Sequence, residues 1–357
     1  MTYRVIQWTT GVVAREAIAG IIGHPDLELV GAWVHSPDKD GRDVGELCGR
    51  EPLGVTATRD AAALLALPAD CVCHMPGRDW VEDPSRTLAG LLEILRAGKN
   101  VVNLWWPTLV YPRAESEEVY RRLQEACLEG GSSFCTVGMD PGYGTAGLAL
   151  SALALSREVE TVRMSQFMNN AHWEGPGITK FFGFGRPEVA DTPMLQPGVT
   201  AGYHATTLHL LADALDVKID EIVEDHRVIY ADEAFDIASG HIPAGTISGV
   251  HYEVKAVAGG RDRIIVEHIE RLREQDFAEL EFKGDGYRAE VVGEPCVRLE
   301  MTLSSKPDFV GDGIAVASAM SVVNAIPRVC EAPPGVLSLF DLAPFPSRNS
   351  MIRRSGS

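Results

Sequence analysis

The sequence is short of positive charge. Its 357 residues carry 32 Lys and Arg against 50 Asp and Glu, a formal net charge of −18. So acidic a surface repels phosphate backbones and anionic lipid, which argues against nucleic-acid binding and membrane-surface work. Long apolar runs are also missing: the longest nearly apolar stretch, Thr145–Ser156, falls well short of the roughly 20 residues that cross a bilayer. The first strand-like run is not preceded by a basic and then an apolar segment, so no secretory signal is expected. Cysteines number seven, an odd count without framework spacing, which points to a reducing, cytoplasmic setting. Neither a Gly-x-Ser-x-Gly elbow nor a Gly-Lys-Ser/Thr loop occurs, so hydrolase and NTPase chemistry find no support. What remains is ordinary globular composition, 45% hydrophobic and 23% charged, with length for two domains.

The first 140 or so residues alternate strand-like and helix-like segments. Tyr3–Trp8, Leu27–His35, Asp70–Met75, Asn100–Leu104 and Ser133–Thr136 are the strands. Between them Val12–Ile22 has helical spacing, and a second helix carries Asp83 as cap, Pro84 in its first turn, Leu88, Leu91, Leu92 and Leu95 as a stripe and Gly98 as stop. Pro112 opens a third helix that Gly130-Gly131 ends. This is the pattern of an α/β, Rossmann-type parallel sheet with helices on both faces. After about Gly147 long strands dominate: Val159–Asn169, Gly245–Val257, Arg261–Leu272 and Tyr287–Ser304, with one helix at Ala201–Leu215. They predict an α+β domain with a mostly antiparallel sheet. Asn170–Val199 is a long excursion rich in Gly, Pro and Phe. A helix rich in Ala, Ser and Val starts at Asp312 and is expected to stop at Pro327. The expected division is 1–147 for dinucleotide binding, 148–309 for substrate and dimerisation, 310–345 returning to the first domain, and 346–357 as a flexible tail.

Between the first strand and first helix lies Gln7-Trp8-Thr9-Thr10-Gly11-Val12-Val13-Ala14. That is where a dinucleotide-binding turn aims helix N–H groups at a pyrophosphate, although only Gly11 survives of the usual glycines. The alternative is a tight turn that binds no nucleotide. The second strand ends at Val34-His35-Ser36-Pro37-Asp38-Lys39, without the acidic residue that bonds a ribose 2′-hydroxyl in NAD sites. Ser36, Lys39 and nearby Arg42 suit a 2′-phosphate, which favours NADP over NAD. The plainer alternative is a basic residue on a solvated loop.

These segments, with Gly138-Met139-Asp140-Pro141-Gly142-Tyr143 and Val322-Val323-Asn324-Ala325-Ile326-Pro327, resemble the dihydrodipicolinate-reductase-like oxidoreductases. More narrowly the chain resembles the branch of 2,4-diaminopentanoate dehydrogenase and the native amine dehydrogenases. The resemblance implies an NAD(P)-dependent enzyme acting on a small-molecule substrate and a homodimer built through the second domain. It matches Gly11, Val12 and Val13, His74, Met75 and Pro76, and Asp140 and Pro141 to cofactor contacts, and with the readings above the expected cofactor contacts also include Thr10, His35, Ser36, Lys39, Asn103 and Asn324. It also places a histidine of the strand holding His268 near substrate. The chain departs from that branch after strand five. A glutamate normally precedes the Tyr/Phe-Pro pair there, but Asn103-Leu104-Trp105-Trp106-Pro107-Thr108-Leu109-Val110 leads to Tyr111-Pro112 without a carboxylate.

The catalytic candidates are therefore Asp140, Tyr143 and His268. Trp105 and Trp106 are expected to wall an apolar pocket with Tyr143, Asn169 and His172, one of the two tryptophans serving core packing instead. Such a wall favours a hydrophobic substrate. His268 on a sheet surface and Phe181-Phe182-Gly183-Phe184 as core have bland alternatives of equal standing. No metal site is expected, because Cys71, Cys73 and His74 lie in a buried strand where 74 faces away from the other two. The expected function is hydride transfer between NADP(H) and a C=O or C=N carbon; the alternative is a cofactor-binding protein without turnover.

Overall fold

A computed structural model describes residues 2–77, 82–104, 106–174, 176–280, 282, 284–304 and 313–342. Trp105, offered above as a pocket wall, lies outside the described residues. Two compact units are present. One runs to Tyr143 and is rejoined by Ile314–Leu342; the other starts at Gly144.

The first unit is built on a seven-stranded parallel sheet. Its strands are β1 (Tyr3–Trp8), β2 (Leu27–Trp33), β3 (Ala57–Thr58), β4 (Cys71–His74), β5 (Asn100–Asn103), β6 (Ser133–Thr136) and β15 (Gly335–Leu337), in the order β15-β6-β5-β4-β1-β2-β3. Five of these occupy the expected segments; β3 and β15 are too short for hydrophobic periodicity to reveal. Helices cover both faces. On one, α2 (Pro84–Arg96) and α3 (Glu117–Gly130) bury Leu88, Leu91, Leu92, Leu95, Leu123 and Ala126 against Ile6, Val72, Val101 and Phe134. Asp83 accepts from the Arg86 N–H at 3.0 Å and Pro84 occupies the first turn, so the cap forms as its residues dictate. The helix expected from Pro112 is two pieces, because Ser116 interrupts Pro112–Glu115 and caps α3 through the Val119 N–H. Gly131 then ends α3 with φ +64°, a conformation that glycine adopts without a Cβ clash.

On the other face, α1 (Val12–Gly23) lies beside the C-terminal helix Ile314–Glu331. That helix runs through Pro327 rather than ending there. Proline removes one hydrogen bond and crowds one carbonyl, and here the buried stripe Ala319, Val322, Val323, Ile326 and Val329 continues past it. By length and composition it is apolar enough to cross a membrane, with a mean hydropathy of 1.3; in this fold the stripe packs within the first unit.

The second unit has a six-stranded mixed sheet. Its strands are β7 (Glu158–Asn169), β8 (Glu221–Tyr230), β11 (Ile247–Ala258), β12 (Arg261–Arg271), β13 (Asp285–Glu294) and β14 (Val297–Leu303), in the order β14-β13-β7-β12-β11-β8. All neighbours are antiparallel except β7 and β12. The single strand expected over Tyr287–Ser304 is the β13–β14 hairpin, and β8 was not anticipated. A short hairpin, β9 (Phe235–Ile237) with β10 (Gly240–Ile242), stands apart. The helix α4 (Val199–Leu215) packs on one face of the large sheet, contacting β8, β11 and β12. Gly144 lets the chain pass Tyr287 closely, since a Cβ there would lie 2.7 Å from that ring.

Candidate functional site

In the first unit the carboxyl ends of β1, β2, β4, β5 and β6 gather the polar groups. Thr9, between β1 and α1, has φ +80°, a costly conformation for a β-branched residue. It is held by Thr9 N–H donating to the Trp33 carbonyl at 2.9 Å and Thr9 Oγ1 donating to the Met75 carbonyl at 2.7 Å. This strained turn delivers Gly11 to the N-cap of α1, where no side chain caps the first turn. Gly11 and Val12 are exposed, Val13 is half-buried, and a Cβ on Gly11 would meet nothing within 4 Å. The α1 amino end is therefore open, with its partial positive charge available to an anion.

Lys39 ends a short 3-10 turn after β2, and its Nζ donates to Thr10 Oγ1 at 3.2 Å. The Cys48 thiol is pushed up by burial and by the nearby Glu16, while Arg15, Arg50 and Lys39 pull it down, so cations outnumber acids around this point of a very acidic chain. His35 is exposed and Ser36 half-buried beside them. Trp8 and Trp33 stack at 5.1 Å between ring centroids, with His35 edge-on to Trp33 at 6.1 Å.

At the next strand end, His74 Nδ1 lies 2.8 Å from Asn103 Oδ1, and Asn103 Nδ2 donates to Thr136 Oγ1 at 3.0 Å. This chain of bonds ties β4, β5 and β6 together. Burial drives the His74 imidazole down to about 4, against the opposing hydrogen bond with Asn103, so the ring is neutral at ordinary pH. Met75 and Pro76 are buried. Asp140 and Pro141 are joined by a cis peptide, and the Tyr143 N–H returns to the Gly138 carbonyl at 2.7 Å. Tyr143 is half-exposed and Asn324 exposed. Trp106, offered as a pocket wall, belongs instead to the core beneath α2 and α3, because its ring is 6% exposed among Leu91, Leu109 and Phe134.

In the second unit, the β-strand period places His268 and Glu270 on the face toward α4. His268 is flanked by Tyr252 on β11 and Gln166 on β7. Its ring stacks on Tyr252 at 4.8 Å and lies 4.7 Å from the His204 ring of α4, whose Nε2 is 3.1 Å from the Tyr252 hydroxyl. Gln166 Nε2 donates to Glu270 Oε1 at 2.9 Å and Asn170 Nδ2 to Glu270 Oε2 at 2.7 Å. Sequence reasoning named His268, but not the Tyr252, His204 and Gln166 side chains that the fold sets around it. Asn169 turns to local work, accepting from the Ala171 N–H and donating to Glu274, while His172 is exposed with Nε2 4.0 Å from Asp285. The Phe-rich excursion is partly core: Phe184, Thr192, Met194 and Leu195 are buried, and Phe181 is 40% exposed.

The opposite face of this sheet carries ion pairs. Glu267 meets Arg163 at 3.2 Å and His251 at 2.9 Å, and Lys255 meets Glu253 at 2.7 Å. Burial alone would push Glu267 up. Hydrogen bonds from His251 and Ser165 and the charge of Arg163 outweigh burial and hold it at about 2. His251, Glu253 and Glu267 bring ligand-type atoms within 4.8 Å, but Arg163 and Lys255 already neutralise that charge.

Comparison with known proteins agrees with this architecture. The family profile of the 2,4-diaminopentanoate dehydrogenase C-terminal domain matches residues 148–354. An amine dehydrogenase of Streptomyces virginiae is 29% identical over 98% of both chains. The 2,4-diaminopentanoate dehydrogenase of Acetoanaerobium sticklandii is 22% identical over 66% of this chain and 64% of its own. Among solved structures, an amine dehydrogenase from Mycobacterium smegmatis superposes with a TM-score of 0.76 at 21% identity, covering 98% of each chain. With the family profile covering more than half its length, this chain belongs to the 2,4-diaminopentanoate dehydrogenase C-terminal domain family, an NAD(P)-dependent oxidoreductase of the amine dehydrogenase branch.

Proposed function

We propose that the chain transfers a hydride between NADP(H) and the C=O or C=N carbon of a small substrate. The observation that carries the reading is the uncapped, open amino end of α1 at the sheet's carboxyl edge, with Lys39 bonded across to Thr10. These residues fit a dinucleotide. Gly11 leaves room for a phosphate against the helix N–H groups, and the first turn holds no acidic side chain to repel it. The N–H groups of Val12 and Val13 would hold the pyrophosphate, and Lys39 with Ser36 the 2′-phosphate. When bound, the nicotinamide supplies or takes up the hydride. The protein's part is to orient the reactants and exclude water, for which the neutral His74, clamped by Asn103, makes a rigid and uncharged border.

Lys39→Ala tests the 2′-phosphate assignment. NADPH affinity is expected to fall about tenfold, the value of one lost charge-assisted contact, with NADH affinity nearly unchanged. Calorimetric titration with each nucleotide measures both. Equal losses would show that Lys39 serves only groups the two cofactors share, and the NADP preference would have to be withdrawn.

A further inference from the structure

We propose that Cys71 and Cys330 form a redox-active dithiol, which a hydroperoxide oxidises to a disulfide that fastens the C-terminal helix to β4. This modification site lies wholly within the first unit and is independent of the hydride-transfer reading.

All seven cysteines are free thiols, and Cys71, Cys73, Cys127 and Cys135 are buried. A buried thiol mostly serves as a small apolar side chain. Cys71 differs from the other three in what it touches. Its side chain is hydrogen-bonded to that of Cys330, in the last turn of the C-terminal helix, which packs on β4. Cys330 is half-buried, so the pair joins a thiol that solvent reaches to one that it does not.

The backbone is anchored on both sides of this meeting. Cys71 opens β4 and pairs with Val5 and Asn100. Asp70 before it accepts from the Arg4 N–H at 2.7 Å through its carboxylate, and from the Asn100 N–H at 3.1 Å through its carbonyl. Next to Cys330, Glu331 accepts from the Tyr3 hydroxyl at 3.3 Å and pairs with Arg328 at 3.7 Å. Two residues on, the Pro333 carbonyl accepts from Ser133 Oγ at 3.0 Å, and β15 then joins the sheet. The two sulfurs therefore start in contact and need not find each other, which favours bond formation between them over competing reactions.

Burial divides the roles. Burial first, and then the contact with Cys330, holds the Cys71 thiol well above the ordinary range, so it does not ionise to meet an oxidant by itself. Cys330 Sγ is the sulfur that a hydroperoxide reaches. It attacks one oxygen of the O–O bond, which breaks. The other oxygen leaves with the thiol proton as alcohol or water, and Cys330 becomes a sulfenic acid. Cys71 Sγ then attacks the Cys330 sulfur, the S–O bond breaks, and hydroxide departs with the Cys71 proton as water. Two electrons have passed from the thiols to the hydroperoxide, and a dithiol reductant returns them by exchange. The disulfide spares Cys330 from irreversible oxidation. It also fixes the C-terminal helix, which lies beside α1, to the centre of the sheet. Cross-links that close long loops restrict the unfolded chain most, so the oxidised protein is expected to unfold at a higher temperature.

The test uses the full-length chain carrying Cys296→Ser, which removes the exposed thiol that would link one molecule to another. After brief exposure to hydrogen peroxide, alkylation of the unfolded protein is expected to find two thiols fewer than before exposure. A non-reducing peptide map should join the peptides holding Cys71 and Cys330, and dithiothreitol should part them. Thermal unfolding should move up by several degrees on oxidation and return on reduction. Adding Cys330→Ser should abolish both the cross-link and the shift. Adding Cys71→Ala should leave Cys330 as a sulfenic acid that dimedone traps, a species the parent does not accumulate. The proposal is overturned by absence of the cross-link, by a cross-link through a different cysteine, or by a Cys330 that stops at sulfenic or goes on to sulfinic acid with Cys71 present. An oxidised chain whose unfolding temperature is unmoved overturns it as well. Should Cys71→Ala not fold, the peptide map and Cys330→Ser decide alone.

Discussion

Gly11→Asp is expected to abolish dinucleotide binding while leaving the apo-protein as stable as wild type or slightly more so. Gly11 has φ −73° and ψ −174°, ordinary extended geometry for any residue, and its Cβ direction is open for 4 Å. A folded-state penalty is therefore absent. Aspartate is also a preferred N-cap, worth roughly a few tenths of a kcal/mol over glycine when its carboxylate meets an otherwise unpaired first-turn N–H. The same carboxylate would occupy the place of the pyrophosphate and repel it. Wild type at about 100 times the dissociation constant of its cofactor should gain about 2.7 kcal/mol, and Gly11→Asp should gain nothing. Retained binding by a folded Gly11→Asp would mean that the α1 amino end is not where phosphate sits.

The second large effect is a dependence of stability on pH set by His74. Burial lowers its folded value to about 4 from the ordinary 6.5, so between these values an unfolded chain binds a proton that the native state refuses. Stability from this group is complete above pH 6.5 and is lost progressively as pH falls to about 4. The loss is about 3 kcal/mol, from 1.36 kcal/mol per pK unit. Urea unfolding across that range should show this component in wild type and not in His74→Phe, whose absolute stability also falls because Asn103 loses a partner. Glu267 acts in a different window. Its value of about 2, against an ordinary 4.5, contributes stability present above pH 4.5 and lost as pH falls toward 2. An equal slope between pH 6.5 and 4 in both proteins would show that His74 accepts a proton without unfolding.

Local signals carried the first unit far. Asp83, Pro84 and the leucine stripe of α2 declare a helix because cap, first turn and period all lie within 13 residues. Gly11 was visible for the same reason: a strand precedes it and a helix follows. What local reasoning missed depends on distance along the chain. Lys39 meets Thr10 across 29 residues, and Gln166 meets Glu270 across 104, through the parallel register of β7 and β12. No spacing rule within one strand announces that meeting. Pro327 misled because tertiary burial of Val323, Ile326 and Val329 overrides its local preference. Trp106 is the tryptophan of the pair that packs in the core; the sequence could not say which of the two would, because an aromatic beside a strand end suits a pocket and a core equally.

The central claim, a dinucleotide site at the α1 amino end that prefers NADPH, is tested most directly by thermal unfolding of the wild-type chain titrated with NADPH and, separately, with NADH. The account predicts a concentration-dependent rise in Tm with NADPH at lower concentrations than with NADH, with both lost in Gly11→Asp. An unfolding curve that neither nucleotide moves would contradict it.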